Sequence, residues 1–323
     1  MTDTNAPRQV MSVLGPVPAA QLGITDAHDH VWIEPVPGAA PDSPVLTQRE
    51  GILAELQDYR QAGGSAILDC QPGGCGRNAT MLAELSRASD VTILCSTGFH
   101  RRRYYPACHW LWKAAPDEAA AYFTAELCER VQESAARTPA LKPTDTQPIR
   151  AGFIKVACEA ALANTPLRAL QGAAMAAAST KSVIEIHTEK GADAEAIFDF
   201  MTRHGVAPRQ VVLCHMDKRP DFALHRELVT AGALLEYDTF FRPKYEPEQN
   251  LWPLIEQMAA NGLDHGVALA VDIAEAPLWA HLGGGPGLAG ITQTIKPRLE
   301  QMGLSQEVVA KMLGGNIVER LAG

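Results

Sequence analysis

A closed barrel of eight parallel strands, each followed by a helix, is the fold class this sequence predicts. Three observations predict it. Eight short runs rich in Val, Ile, Leu and Ala recur along the chain without polar–apolar alternation, the pattern of parallel strands covered on both faces. Longer amphipathic stretches rich in Ala, Glu, Leu and Arg separate them, as in βαβ units. The last four runs begin about 25–35 residues apart, the length of one strand–helix unit. Eight such units in 323 residues fit a (β/α)8 TIM barrel, expected as one domain over 1–323. The structural rival is a doubly wound open sheet. It has five or six parallel strands and a Gly-rich turn after the first, whereas here the first run carries Asp-His-Asp-His.

The runs, in order, are ITDAHDHVWI, SAILDCQ, VTILCSTGF, AGFIKVAC, SVIEIHT, QVVLCHMD, ALLEYDT and GVALAVDI. A helix is predicted over 50–62, where apolar residues recur at helical spacing and Gly63-Gly64 follows as a stop signal. Asp117 is suited to cap a helix over 117–135, with Glu118 also in its acidic first turn. Helices over 191–204 and 220–231 follow the fifth and sixth runs, and two more, over 286–302 and 305–313, follow the eighth. Two segments interrupt the pattern. The Pro-rich loop 34–44 leaves the first strand on the face where barrels of this kind carry their sites, and is expected to cover it. Residues 138–148 read as a connector on the opposite face. Gly283-Gly284-Gly285-Pro286-Gly287 reads as the turn into the last helices, or as a mobile lid.

The bulk numbers exclude several classes. A 46% hydrophobic chain of this length can bury a sizeable core. The net charge of −9, with basic residues scattered except at Arg101-Arg102-Arg103, argues against nucleic acid as the main partner. No run of about 18 apolar residues is present, so no membrane span is expected. The first residues carry no basic segment followed by an apolar one, so no secretory signal is expected either. The seven cysteines include Cys70, Cys95, Cys158 and Cys214 inside apolar runs, and none forms a C-x-x-C pair. They read as reduced thiols in a cytoplasmic protein.

Polar residues with metal-binding chemistry punctuate five of the runs: His28 and His30, Lys155, His187, His215 and Asp272. In a parallel barrel such positions meet at one mouth, although they span nearly 250 positions of sequence. His28 and His30 are two apart on a strand and therefore face one side, which makes half of a metal site. Lys155 interrupts an apolar strand, and burying it as a cation costs several kcal/mol. Either it pairs with an acid such as Glu159 or Glu185, or it loses its proton and adds CO2. The resulting carbamate is an anion able to bridge two divalent cations. Asp272, semi-buried among apolar neighbours, is suited to bind metal, to act as a base, or to do both.

Taken together, these residues are similar to the phosphotriesterase-like branch of the amidohydrolase superfamily. The order H-x-H after strand one, Lys after strand four, His after five, His after six and Asp after eight carries the resemblance. So do VMSVLGPVPAAQLGITDAHDH, STGFHRRRYYP, GFIKVA, GPGLAGITQTIKPRLEQMGLSQE and GGNIVERL, across essentially the whole chain. The resemblance implies a two-metal hydrolase. His28, His30 and Asp272 would hold the more buried ion, and His187 and His215 the more exposed one. Carboxylated Lys155 (N6-carboxylysine) and a hydroxide would bridge them. Asp272 would take up the proton. The ligands suit Zn, Mn, Co and Fe alike, with Zn the leading candidate.

The same resemblance points to a lactone substrate, sugar or phosphosugar, with amide and phosphotriester hydrolysis as alternatives. A non-catalytic ligand-binding barrel is the remaining reading. Expected substrate contacts are His100, Arg101, Arg102, Tyr105, Lys244 and Glu275. Many lactonases of the family place Tyr where this chain has His100. The three arginines either bind an anion or pair with acids elsewhere. Lys244 resembles a phosphate-holding position, but Glu275 stands where phosphosugar relatives carry an Arg-containing segment. His109-Trp110-Leu111-Trp112 would wall the pocket, form a homodimer contact, or pack on a helix.

Overall fold

The structure is a computed structural model and describes residues 7–133 and 148–323. Most of the expected connector 138–148 and the end of the helix expected over 117–135 therefore lie outside the described residues. A short hairpin of β1 (Gln9–Ser12) and β2 (Gly15–Pro18) precedes the barrel. Eight parallel strands follow: β3 (Ile24–Asp29), β4 (Gly64–Asp69), β5 (Thr92–Phe99), β6 (Phe153–Ala157), β7 (Ile184–His187), β8 (Val211–Cys214), β9 (Leu234–Tyr237) and β10 (Val267–Leu269). Each pairs with its sequence neighbour, the order of a (β/α)8 barrel. Beyond the paired ladder, the Asp272 N–H donates to His28 O at 3.1 Å, joining the last strand's exit to the first. At Gly98, φ is +116° and a Cβ would lie 1.9 Å from Lys155 O, so only glycine lets β5 approach β6 at the lysine.

The outer ring follows the expected order with shifted ends. The first helix, α1 (Arg49–Gln61), buries Ile52, Glu55, Leu56 and Tyr59 on one face. Then α2 (Ala79–Ser89) is capped by Asn78, whose side chain accepts from Met81 N. In α3 (Pro116–Cys128), Ala115 and not Asp117 is the cap residue. Pro116 takes the first position, and Asp117 sits in the acidic first turn. The helix also ends early, because buried Glu126 pairs with Arg77 at 2.8 Å and accepts Gln132 N–H at 2.6 Å, which turns the chain back. The ring continues with α4 (Leu167–Thr180), α5 (Ala194–Arg203), α6 (Phe222–Thr230), capped by Asp221, and α7 (Leu251–Ala260). The stretch expected as 286–302 opens with a wide turn at Ile291–Ile295 before α8 (Lys296–Gln301). The stretch expected as 305–313 begins with α9 (Gln306–Ala310) and does not stop at Leu313. It kinks at Gly314 (φ +137°) and resumes as α10 (Asn316–Leu321). A Cβ at Gly314 would meet Gly23 O and Thr25 N at 2.8 Å, so glycine there lets the helix press against the entry to β3. Within the Gly283–Gly287 segment, Gly283 and Gly285 are open, but Gly284 and Gly287 are closely approached. A Cβ at Gly284 would lie 1.8 Å from Pro277 O, and buried Glu55 accepts from His281 N and Leu288 N. That packing favours the turn over the lid.

Candidate metal centre

The six expected ligands converge at the C-terminal mouth. His28 lies in β3 and His30 one residue past it. Lys155 is the middle residue of β6, paired in register with Gly98 on one side and Glu185 on the other. His187 ends β7, His215 follows β8, and Asp272 lies three residues past β10. Both His28 Nε2 and His30 Nε2 stand 3.7 Å from Asp272 Oδ1. The His28 and His215 rings are 4.9 Å apart, and those of His187 and His215 4.5 Å. Lys155 Nζ lies 3.1 Å from His28 Nε2. His215 (φ +64°) and Asp272 (φ +48°) both hold left-handed backbone, uncommon for residues with a Cβ. Strain of this kind at the ends of two barrel strands, β8 and β10, is a mark of a functional site.

The surrounding acceptors prepare the rings for metal. His30 Nδ1 bonds Gln71 Oε1 at 2.8 Å, and His215 Nδ1 bonds Asp238 Oδ2. His28 Nδ1 lies 3.4 Å from Glu236 Oε2. An acceptor on Nδ1 fixes the tautomer and leaves Nε2 free to ligate. The His187 Nε2 atom is buried without a hydrogen-bond partner, although Glu189 Oε2 is 3.6 Å away. Three donor groups, His28/His30/Asp272, His28/His215/Glu236 and His215/Asp238/Asp272, each bring their ligand atoms within 4.8 Å. Imidazole nitrogens with carboxylate oxygens suit a divalent cation of the Zn or Mn type. The residues therefore fit the metal that the sequence implies.

Electrostatics favour the ligand form of every ring. Burial pushes His30 down to about 4 and His215 down to about 3, and holds His28, His100 and His187 below their usual range. Burial alone would raise the Asp272 carboxyl, but the Arg242 guanidinium, 3.1 Å from Oδ2, together with His215 and Lys218, outweighs it and lowers the group below its usual range. Lys155 departs from the simplest expectation. Desolvation does favour its neutral form, but the acids of the barrel floor, Glu185 and Glu236, help to outweigh it and raise the amine. Cys70 and Cys214, the nearest sulfurs, are themselves pushed up by burial and stay thiols. CO2 addition at Lys155 thus needs the ammonium to lose its proton first, since only the neutral amine adds CO2.

The expected substrate contacts divide. His100 is buried between His30 and His187, with ring centroids 5.9 and 5.7 Å away. Arg101 is held by Glu159 at 3.0 Å and Glu189 at 2.8 Å, Arg103 by Asp42, and exposed Arg102 lies over Trp112 at 5.3 Å. The loop arginines are thus engaged within the chain. Tyr105 points into the protein, where its hydroxyl accepts from His100 N at 2.9 Å; it is Tyr104 that faces the cavity beside the metal centre. Lys244 and Glu275 are exposed, Lys244 over Tyr245 at 5.1 Å. The cavity, about 60 Å³, is walled by His30, Gln71, His100 and Tyr104, and by Val36 and Ser43 of the covering loop. Trp110 packs on Tyr122 of α3 and Trp112 on Tyr105, so this aromatic cluster fills space within the chain. Gln71, Glu236, Asp238 and Arg242 contact the expected ligands, and the sequence did not single them out. The one available signal was a charged residue inside an apolar strand, as with Glu236 and Asp238 in LLEYD.

Residues 8–319 match the model of the phosphotriesterase family. The chain belongs to that family. It is accordingly an enzyme of the hydrolase class. A phospho-furanose lactonase of Mycoplasmopsis agalactiae is 30% identical, over 97% of this chain and 91% of that one. An N-acetyltaurine hydrolase of Salmo salar is 26% identical, over 95% and 96%. Among solved structures, an amidohydrolase from Mycoplasma synoviae superposes with a TM-score of 0.88 at 26% identity, covering 97% of this chain and 92% of that one.

Proposed function

We propose that this phosphotriesterase-family protein is a binuclear-metal hydrolase that opens a lactone, with a sugar or phosphosugar lactone as substrate. The convergence of His28, His30, His187, His215 and Asp272 at one mouth carries the metal reading, and the phospho-furanose lactonase relatives support the lactone. Two divalent cations, Zn the leading choice and Mn, Co or Fe suitable, would lower the pKa of a bound water and polarise the scissile carbonyl. His28, His30 and Asp272 would hold the first, and His187 and His215 the second. Lys155, as N6-carboxylysine, would serve both. Gln71, Glu236 and Asp238 hold the rings in place. Arg242 keeps Asp272 an anion, ready to accept a proton and return it to the leaving oxygen. Lys244 is the cation of the expected set left to meet an anionic substrate, with exposed Arg102 and Glu275 at the rim, whereas Arg101 is held by its two acids and buried Tyr105 supports the wall from behind. All seven cysteines are free and no described helix is long and apolar enough to cross a membrane, which suits work in the cytoplasm.

A second reading is amide hydrolysis of a small N-acyl amine. It is favoured by the prior engagement of Arg101 and Arg103, which leaves few cations for phosphate, and by the N-acetyltaurine hydrolase relatives. Protein reconstituted with Zn²⁺, Mn²⁺ or Co²⁺ and given sugar lactones, phosphosugar lactones, N-acyl amines and paraoxon separates the readings. Lactones are expected to turn over fastest. Turnover of none of the four classes would leave the ligand-binding barrel.

A further inference from the structure

Five histidines surround the mouth, but one of them is arranged differently. His100 follows β5 directly, and its ring is buried. The backbone N–H of Arg101 donates to His100 Nδ1 at 2.8 Å. A ring nitrogen that accepts a hydrogen bond carries no proton, so the proton of a neutral imidazole must be on Nε2. An N–H nitrogen has no lone pair to offer a cation. His100 is therefore excluded as a ligand in this arrangement, whereas His30 and His215, whose Nδ1 atoms face acceptors, are prepared as ligands.

The Nε2 edge of His100 has no hydrogen-bond partner among the described residues. Its ring centroid stands 5.9 Å from that of His30 and 5.7 Å from that of His187, one from each expected ion position. The ring also lines the cavity beside His30. Its orientation is braced from behind. The His100 backbone N–H donates to buried Tyr105, and Tyr104 meets the ring edge-on at 4.8 Å. A fixed, unpaired donor at the edge of a hydrolytic centre is the arrangement that stabilises negative charge developing on oxygen.

We infer that His100, as the Nε2–H tautomer, donates a hydrogen bond to the oxygen on which charge develops when the scissile carbonyl is attacked. This rests on the hydrolase reading above. The proton is not transferred. The donor strengthens its bond as the oxygen gains charge, which lowers the barrier more than it tightens substrate binding. It performs with an imidazole what a phenol O–H at the same position would perform, so a tyrosine there keeps the function.

The test uses full-length, metal-reconstituted protein with His100→Phe, His100→Gln and His100→Tyr. Metal content measured on each is expected to match the wild type. His100→Phe is expected to lower kcat about 100-fold with little change in KM, the size seen on deleting one such donor. His100→Gln and His100→Tyr, which keep a donor, are expected to recover most of it. Binding of methylphosphonate, a tetrahedral oxyanion, should weaken in His100→Phe and recover with the donors. Nitrogen-15 imidazole spectra should show His100 protonated at Nε2. A proton on Nδ1, loss of a metal ion in His100→Phe, or unchanged methylphosphonate affinity would overturn the inference. If wild-type protein hydrolyses nothing in the panel, the hydrolase reading fails, and the inferred donor role fails with it whatever tautomer the spectra show.

Discussion

Replacing Asp238 by Asn should loosen metal binding without dismantling the barrel. Asp238 is fully buried; its Oδ2 accepts from His215 Nδ1, and its Oδ1 lies 3.1 Å from Lys218 Nζ. Burial alone would raise this carboxyl, yet Lys218 and His215 outweigh it and hold it well below the usual range, so it is an anion at every working pH. Asn keeps the shape but removes the charge. It meets His215 either with a neutral oxygen, a weaker acceptor, or with an NH2 that drives the imidazole proton to Nε2 and blocks ligation. Loss of such a partner costs ~10–100-fold in metal affinity, or about 1.4–2.7 kcal/mol. Lys218 also loses its counter-charge, so the metal-free fold should weaken by about 1–3 kcal/mol. Competition against a chromophoric chelator measures the affinity, and thermal unfolding of chelator-treated protein measures the fold separately. Gln71→Ala, which removes a neutral acceptor from His30, should do less. A folded Asp238→Asn protein binding both ions as tightly as wild type would refute the claim that Asp238 prepares His215.

Other outcomes follow from the same structure. Burial raises Asp29, Asp217 and Glu185 to about 7 and Asp69 to about 8, so in this range the folded chain binds more protons than the unfolded one. By linkage their contribution is present at low pH and lost as pH rises through the folded values. The depressed histidines, such as His30 and His215, oppose this only below about 6.5, where unfolded histidine takes up protons. The melting temperature of metal-free protein should therefore fall between about pH 6.5 and pH 8; a rise there would contradict the assignment. Metal loading should be faster with added bicarbonate, and Lys155→Ala should lose that dependence together with part of the metal; full metal content and turnover in Lys155→Ala would remove the carbamate. Gly98→Ala forces a Cβ to 1.9 Å from Lys155 O at φ +116°, so a loss of at least about 1–3 kcal/mol is expected in denaturant unfolding, and an unchanged midpoint would contradict the close β5–β6 approach.

The barrel and its ligands were legible because both depend on local pattern. A histidine or aspartate closing an apolar run is visible without knowing its neighbours, and parallel closure then places all such ends together. The supporting residues were not legible, because their roles depend on register across strands. Glu185, which the sequence offered beside Glu159 as an acid for Lys155, is selected only by the β6–β7 pairing, and Asp238 reaches His215 from the next strand. Arg101 illustrates the same limit from the loops. Its sequence leaves open whether it binds an anion or pairs with acids; Glu159 and Glu189, contributed by two other loops, occupy it. Arg242 rather than Lys244 reaches Asp272, which only the path of the chain after β9 decides. Helix ends shifted where a tertiary contact overrode the local signal, as Glu126 does in stopping α3.

Metal stoichiometry tests the central claim most directly. Protein from cells grown with Zn²⁺, gel-filtered and analysed for bound metal, should carry two ions per chain, and crystals should show anomalous peaks at His28/His30/Asp272 and at His187/His215. Less than one tightly bound ion per chain, or ions bound elsewhere, would contradict it.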